Sequence, residues 1–281
     1  MTDTALVLGA GGVTGSAWET GILHGLAEAG TDLTTADLII GSSAGAVVGA
    51  QLASGALGLP ELYALQVTDP QGMTGGRLGV PTLLRYAGAV LSARTPEAYG
   101  RKLAAIARRA RPGITAEQRR AAIADRLPSS DWPERPLLIT AVDAATGELH
   151  AFDKDGGASL VDAVTASCAV PAVWPVATAA GRAWIDGGVH SPANAQLAEG
   201  YGRVVVIAPT ASGNKVIASP RAQADRLAAR GARVEVITPD AAAKRAFGRN
   251  PLDPSRMAAA ARAGLAQAAA HAAAVAAVVS T

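Results

Sequence analysis

The sequence predicts an α/β fold with three layers, in which a mainly parallel sheet is flanked by helices. Short runs of branched apolar residues alternate with longer helical segments, and this order is typical of parallel strands joined by right-handed crossovers. Hydrophobic residues make up 49% of the 281 residues and aromatic residues 4%, so the core consists mainly of Ala, Val, Leu and Ile. We expect a single domain over residues 1–281, with a helical cap inserted at about residues 57–132.

The chain opens with a strand, a glycine-rich loop and a helix. Residues 5–8 (ALVL) are apolar and few, as in a buried strand. Residues 9–15 (GAGGVTG) form the loop, and the pattern predicts a helix from about residue 16 to residue 29, where Gly30 ends it. A loop in this position lies at the carboxyl end of a parallel sheet, where ligands bind.

The second strand leads into a G-x-S-x-G motif centred on Ser43. Residues 38–40 are apolar, residues 41–45 read GSSAG, and residues 46–52 are compatible with a helix. Such a nucleophile elbow turns so sharply that Gly41 and Gly45 are needed on either side, because a Cβ would collide with neighbouring backbone. The turn lifts the serine hydroxyl out of the sheet and directs the first N–H groups of the helix towards it.

The segment that we assign to the cap has a different pattern, in which prolines and glycines separate short helical pieces rich in basic residues. One interpretation is a solvated helical cap with charged faces. The other is a lid that rests on an anionic membrane surface or shields an acyl pocket. The basic residues are Arg101, Lys102, Arg108, Arg109, Arg111, Arg119, Arg120 and Arg126.

Regular elements resume after the cap. The sequence predicts strands at residues 136–141, 149–152, 203–208 and 233–238, and a helix at residues 160–167. The alanine-rich stretch from Ser255 onward is predicted to be helical. We interpret residues 263–279 as a packed terminal helix rather than a membrane span, because Gln267 and His271 interrupt the apolar run.

The overall charge and the cysteine count limit partners and location. The formal net charge of +2 does not favour nucleic acid, and we expect no nucleic-acid partner. The single cysteine, Cys168, rules out an internal disulfide framework and fits a reducing cytoplasm. The amino end lacks the basic region of a secretion signal. We therefore expect a cytoplasmic protein, with peripheral membrane contact through the basic cap as an open alternative.

The glycine loop admits two interpretations. Gly11, Gly12 and Val13 can expose backbone N–H groups, as an oxyanion site requires. Alternatively, the loop at residues 9–15 resembles a dinucleotide-binding turn of an NAD(P)-dependent reductase. Thr14 occupies the position of the third glycine of G-x-G-x-x-G, and the second strand ends without the acid that would bind a ribose. The sequence favours the oxyanion site.

Two arrangements compete for the base that would activate Ser43. His190 follows Asp186 by four residues, which matches the Ser…Asp…His order of α/β-hydrolases. In the other arrangement Asp186, at a strand end before Gly187 and Gly188, takes the serine proton directly, and desolvation raises its proton affinity. The remaining histidines are too scattered to predict a metal site, and we expect neither a metal nor a cofactor.

The ordered set of motifs resembles the patatin-like phospholipase (patatin-like acyl hydrolase) family, in a bacterial form. The glycine loop at residues 9–15, the elbow at residues 41–46 and the Asp-Gly-Gly turn at residues 186–188 occur in the family's order. Residues 166–175 resemble the family's approach to its catalytic turn. The resemblance covers about residues 6–208, with the cap poorly matched.

This resemblance implies a serine acyl hydrolase that cleaves lipid or phospholipid acyl esters, or small acyl esters, without calcium. It also makes His190 a neighbour rather than the base. The implied residues are Ser43 and Asp186 as a catalytic dyad, Gly11, Gly12, Val13, Thr14 and Ala44 around the oxyanion, and Gly41, Gly45, Gly187 and Gly188 as support for the elbow and turn.

One departure from the family pattern concerns the glycine loop. The family usually carries Arg or Lys just before the last glycine, where this chain has Thr14. The change removes a cation near the oxyanion loop. It leaves a non-catalytic lipid-binding relative as an alternative to the hydrolase.

Overall fold

The computed structural model describes residues 3–68, 73 and 75–280. In these residues an eight-stranded sheet has the strand order β5-β6-β3-β2-β1-β7-β8, with β4 also paired to β3. The strands whose bounds the sequence predicts agree with the observed ones to within two residues, and β5 is not among them. The strands are β1 (Thr4–Leu8), β2 (Leu38–Ser42), β3 (Leu137–Asp143), β4 (Leu149–Phe152), β5 (Ala177–Ala179), β6 (Arg182–Asp186), β7 (Arg203–Ile207) and β8 (Arg233–Ile237).

The sheet is mixed, although the larger part of it is parallel. Strands β3, β2, β1, β7 and β8 are parallel neighbours. Strands β4 and β6 pair antiparallel with β3, and β5 pairs antiparallel with β6. The antiparallel pairing of β3 with β6 sets Asp186 opposite Ala141, one residue beyond the Thr140 that pairs with Ser42 of β2. It therefore brings the ends of β2 and β6 together.

Helices cover both faces of the sheet and make the predicted three layers. On one face Leu6 and Leu8 belong to a core shared with α1, α2, α7 and α10. On the other face Val7 packs with α8, and Val142 packs with α5. The helices are α1 (Gly12–Glu28), α2 (Ala44–Ser54), α3 (Leu59–Val67), α4 (Val80–Ser92), α5 (Pro96–Arg109), α6 (Ala116–Ala124), α7 (Leu160–Ser167), α8 (Pro220–Ala228), α9 (Ala241–Phe247), α10 (Met257–Ala268) and α11 (Ala272–Val279).

Helices α3 to α6 occupy the stretch that the sequence analysis assigns to a cap, and they pack in different places. Helix α3 buries Leu59 and Leu62 in the main core beside α1 and α10. Helix α5 buries Tyr99 and Leu103 under β3 and β6, and α4 packs on α5. Helix α6 packs on α7. Side chains of α4, α5 and α6 border the cavities at the carboxyl ends of β2 and β6.

The carboxyl-terminal stretch forms two helices rather than the single helix that the sequence predicts. The helical pair Pro254–Ala268 and Ala272–Val279 is bent by 68°. Near the end of the first helix, Gln267 accepts a hydrogen bond from Trp18 and donates one to the Thr238 carbonyl oxygen, and His271 contacts Glu235 on β8. In the described part of the chain, no single helix is long and apolar enough to cross a membrane. The two helices of the bent pair reach that length and hydropathy only when they are taken together.

Close packing of α1 on α10 depends on glycine, and this generates a stability prediction. A Cβ at Gly21 would collide with the carbonyl oxygen of Ala261, so Gly21→Ala should lower the free energy of unfolding by about 1–3 kcal/mol. Urea unfolding measures this change. The matched control is Gly88→Ala on α4, where an added Cβ meets open space and should leave stability equal or slightly higher. Equal effects of the two substitutions would contradict the prediction.

Candidate active site

Ser43 lies in a sharp turn between β2 and α2, and its backbone is strained. Its φ of 52° and ψ of −106° are unusual for a residue with a side chain. A Cβ at Gly41 would collide with Gly45, and a Cβ at Gly45 would collide with the backbone of Leu8 on the neighbouring strand. Both glycines are therefore required by close backbone contacts, as the motif predicts.

Hydrogen bonds from α7 and from the glycine loop hold this turn in place. The Ser43 N–H donates to Ser167 Oγ at 2.8 Å, and the Cys168 thiol donates to the Ser43 carbonyl oxygen at 3.2 Å. The Gly45 N–H donates to the Gly9 carbonyl oxygen at 3.0 Å. Burial raises the pKa of Cys168 to about 11, so its sulfur is a thiol at neutral pH and acts as a donor. The sequence analysis gives no role to Ser167 in holding the serine.

Asp186 ends β6 and contacts the serine directly. Ser43 Oγ donates to Asp186 Oδ2 at 2.7 Å, and the Gly188 N–H donates to Asp186 Oδ1 at 2.8 Å. A Cβ at Gly187 would collide with Thr140, so the turn after the carboxylate also requires glycine. The structure thus brings together the serine and the aspartate that the sequence analysis pairs.

Burial adjusts the basicity of Asp186. Desolvation raises its pKa from 3.8 to about 6, against the opposing effects of hydrogen bonds from Ser43 and Gly188 and of the Arg119 charge. The carboxylate is still mostly ionised at neutral pH, yet it accepts a proton more readily than an exposed aspartate does. A base of this strength, in contact with a hydroxyl, can remove the proton during nucleophilic attack.

The glycine loop begins α1 earlier than the sequence analysis expects. The helix starts at Gly12, whose φ is +65°, and Gly11 precedes it as the N-cap residue. No described residue accepts a hydrogen bond from the N–H of Gly11, Gly12 or Val13, or from that of Ala44 at the start of α2. All four line the space around Ser43. They can donate to an anion that forms there.

Thr14 does not share this arrangement, although the sequence analysis includes it in the oxyanion site. Its N–H donates to the Pro251 carbonyl oxygen at 3.1 Å, and its hydroxyl donates to the same oxygen at 3.2 Å. Both donors are therefore directed at the segment before α10. Thr14 therefore has neither donor free for an anion at Ser43.

A buried polar network lies behind the dyad, and its central residue is not identified by the sequence analysis. The Asn194 side-chain amide donates to Ser42 Oγ at 2.9 Å and to the Gly187 carbonyl oxygen at 3.1 Å. Ser42 Oγ lies 2.7 Å from Thr140 Oγ1. Asn194 itself adopts a φ of 55°, which asparagine tolerates better than most residues. The network ties the end of β2 to the turn that carries Asp186.

Two cavities meet at Ser43. One has a volume of about 280 Å³ and is bordered by Val13, Val47, Trp174 and residues of α6. The other, of about 210 Å³, lies towards α4 and α5 and is bordered by the dyad and by largely apolar side chains, which include Leu78, Tyr86, Tyr99 and Leu103. A substrate bound at Ser43 can therefore place different parts on either side of the serine.

Comparison with protein families identifies the chain. The Patatin-like phospholipase family model matches residues 6–199. The chain belongs to this family. Membership supports lipid acyl hydrolysis as the general activity. It also makes the NAD(P)-dependent alternative for the glycine loop the weaker interpretation.

Similar solved structures include VipD from Legionella pneumophila and the type III effector protein ExoU. VipD is 13% identical, with a TM-score of 0.48 and 96% of this chain covered. ExoU is 19% identical, with a TM-score of 0.40 and 96% covered. The chain spans 66% of the length of VipD and 54% of that of ExoU. The comparison with curated proteins found no match.

The histidines of this patatin-like chain lie away from the dyad. His190 Nδ1 lies 2.9 Å from Asn194 Oδ1, so the histidine contacts the supporting network rather than Ser43. His24 stacks on Tyr63, and His150 packs against Phe152. The described residues contain no group of three or more His, Cys, Asp or Glu side chains that could hold a metal ion.

The raised pKa of Asp186 generates a prediction about stability and pH. Burial favours the protonated form of Asp186 in the folded chain. Protonation of Asp186 therefore stabilises the fold fully below pH 4, and this stabilisation is lost as the pH rises through about 6. Asn at this position can accept from the Gly188 N–H through Oδ1 and donate to Ser43 Oγ through Nδ2. Asp186→Asn should therefore be more stable than the parent chain above pH 7, by at most about 3 kcal/mol. Chemical denaturation between pH 4.5 and pH 8 measures the difference.

Asp143→Asn is the control, because it should change stability in the opposite direction. Burial acts to raise the pKa of Asp143, but hydrogen bonds from Thr146 and Ala145 and the Arg182 charge together lower it. The ionised Asp143 carboxylate therefore stabilises the fold at pH values above the pKa that it has in the unfolded chain. Asp143→Asn should consequently be less stable than the parent at pH 8. If Asp186→Asn were also destabilised at pH 8, the effect of burial on Asp186 would be refuted.

Proposed function

We propose that this chain hydrolyses acyl esters of lipids, including phospholipids, through a Ser43–Asp186 dyad. The observation that carries the proposal is the 2.7 Å hydrogen bond from the strained, buried Ser43 to a desolvated carboxylate. Family membership supports the lipid substrate class. The donors of the glycine loop, which have no acceptor in the described chain, support acyl transfer in particular.

In the first half of the reaction, Ser43 Oγ attacks the ester carbonyl carbon while Asp186 Oδ2 takes the hydroxyl proton. The carbonyl oxygen becomes an oxyanion, which the N–H groups of Gly11, Gly12, Val13 and Ala44 are available to stabilise. The amino ends of α1 and α2 add favourable dipoles at the same point. Asp186 then returns the proton to the departing alcohol oxygen, and the acyl group remains on Ser43.

In the second half, water releases the acyl group. Asp186, ionised again, takes a proton from a water molecule that attacks the acyl carbonyl carbon. The tetrahedral intermediate uses the same N–H groups and then collapses. Its collapse breaks the bond to Ser43 Oγ, which recovers the proton from Asp186, and the carboxylic acid leaves. No step requires a metal or an organic cofactor.

Labelling with a fluorophosphonate probe tests the dyad. We expect an adduct on Ser43, and we expect Ser43→Ala to lose both the adduct and ester hydrolysis, the latter by about 10⁴-fold or more. Asp186→Asn should also abolish labelling while the fold is kept. The control is Ser212→Ala, which removes an exposed loop serine and should leave both signals unchanged. Hydrolysis that persists in purified Ser43→Ala would refute the assignment.

A folded chain that resists the probe but binds fatty acid or vesicles would instead favour the non-catalytic lipid-binding alternative. Saturable binding of NAD(P)H would favour the reductase.

We further propose that α4 rests on a lipid surface from which the substrate enters. Tyr86 on the inner side of α4 borders the dyad cavity and donates to the Pro171 carbonyl oxygen at 2.5 Å. The outer side exposes Val80, Leu84 and Leu91, which are 69%, 68% and 74% exposed. Arg85, exposed on the same helix, supplies positive charge for an anionic surface. The proposed location is the cytoplasm, at the membrane periphery.

Acidic substitutions on α4 test this contact. Leu84→Asp combined with Leu91→Asp should slow hydrolysis of a phospholipid in phosphatidylglycerol vesicles by about tenfold, because apolar contact area is lost and like charges repel. Hydrolysis of a soluble short-chain ester should not change. Leu65→Asp, on the exposed side of α3, is the matched control. If the double variant hydrolyses vesicle lipid as fast as the control, α4 does not contact the surface.

A further inference from the structure

Helix α6 and the turn that follows it bring two arginines into the larger cavity beside Ser43. Arg119 lies on α6, and Arg126 lies in the turn directly after the helix. Both border the cavity of about 280 Å³, together with Ser43 and Ala44. Arg120, the neighbour of Arg119, lies outside this cavity and pairs with Asp162 at 2.6 Å.

The local contacts fix both arginines without neutralising them. The Arg119 guanidinium lies over the Trp174 ring, 4.2 Å from its centroid, and Arg119 Nε is buried without a hydrogen-bond partner in the described chain. The Arg126 carbonyl oxygen accepts a hydrogen bond from Gln51 Nε2 at 2.8 Å, which holds the backbone. Neither guanidinium forms an ion pair or a hydrogen bond with any side chain among residues 3–68, 73 and 75–280.

Both positive charges border the same partly desolvated cavity. Burial lowers the pKa of both side chains, and the Arg119 charge lowers that of Arg126 further. Asp125 also borders the cavity but pairs with neither arginine, and Asp186 is hydrogen-bonded to Ser43 and Gly188. The Asp186 charge partly offsets that of Arg119, but among the described residues neither arginine has a hydrogen-bonded counter-ion, and like charges in a desolvated space are unfavourable. An anion that enters the cavity would relieve this repulsion.

We infer that Arg119 and Arg126 form a subsite for a phosphate group carried by the lipid substrate. Guanidinium groups bind phosphate oxygens through paired hydrogen bonds. The subsite opens onto Ser43, so a phosphate on the alcohol side of the ester can reach it while the acyl chain occupies the apolar cavity near Tyr86 and Leu103. This inference rests on the proposed hydrolase and makes a phosphate-bearing lipid its preferred substrate.

Paired substrates test the preference. A lysophosphatidic acid and a monoacylglycerol with the same acyl chain differ only in the phosphate. We expect Arg119→Gln and Arg126→Gln each to lower kcat/KM for the phosphate-bearing ester by about 10- to 100-fold. The value for the neutral ester should change little in Arg126→Gln. In Arg119→Gln it should fall as well, but less than the value for the phosphate-bearing ester, because the Arg119 charge favours the ionised form of Asp186. Arg120→Gln is the matched control and should leave both values unchanged, because that side chain points to Asp162.

An equal loss on both substrates would overturn the inference, since the arginines would then serve the chemistry or the fold. Each Gln variant removes one of two positive charges in the cavity, so we expect no large loss of thermal stability from Arg126→Gln, whereas Arg119→Gln also loses its contact with the Trp174 ring. If Arg126→Gln does not fold, the excess loss on the phosphate-bearing ester in Arg119→Gln gives the test.

A binding measurement separates the subsite from the proposed hydrolysis. In Ser43→Ala, which cannot turn the ligand over, lysophosphatidic acid should raise the Tm, and the matched monoacylglycerol should raise it less. Arg126→Gln in the same background should remove the difference. If no ester is hydrolysed but this shift persists, the hydrolase proposal fails while the phosphate subsite stands.

The source of the phosphate is tested in the same assay. If inorganic phosphate alone raises the Tm of Ser43→Ala as much as lysophosphatidic acid does, the site takes the free ion and the assignment to a lipid phosphate is overturned. If the Tm shift is the same with and without the phosphate group, the subsite itself is overturned.

Discussion

The strained turn at Ser43 is the constraint on which the rest of the structure depends. A residue with a side chain holds a φ of 52° here only because the backbone on both sides is fixed. Gly41 and Gly45 allow β2, α2 and the neighbouring β1 to approach so closely that no Cβ fits. Ser167 and Gly9 then anchor the turn by hydrogen bonds. The fold thus holds the serine hydroxyl in one position before any substrate arrives.

Burial of Asp186 connects stability and chemistry. The same desolvation that raises its pKa to about 6 also makes the ionised, basic form unfavourable in the folded chain. The carboxylate stays ionised at neutral pH because Ser43 and Gly188 donate to it and Arg119 lies nearby. The network around Asn194 holds the turn that bears it. A base at this position therefore depends on a polar environment built by residues distant in sequence.

The sequence predicts the parts of this site that follow local rules. The elbow at Ser43 and the turn after Asp186 have short glycine signatures, and the structure brings them together. The sequence does not predict the contacts made by Ser167, Asn194 or Arg119, because each of these contacts joins segments far apart in the chain. Their partners depend on which way α6 and α7 face and on the antiparallel placement of β6. An arginine-rich segment has the same sequence pattern whether its arginines face water or a cavity.

Around Ser43, the residues that recognise the substrate and the residues that carry out the chemistry come from different parts of the chain. The glycine loop offers only backbone donors, because Thr14 is neutral and is held by Pro251. Positive charge reaches the cavity from Arg119 on α6 and from Arg126 in the turn after it, both in the segment between the second and third strands. Changes at Arg126 can therefore alter the charge that meets the substrate while the dyad and its N–H donors stay fixed, whereas Arg119 also acts on the pKa of Asp186. The chemistry resides in the sheet and its turns, and recognition resides in the inserted helices.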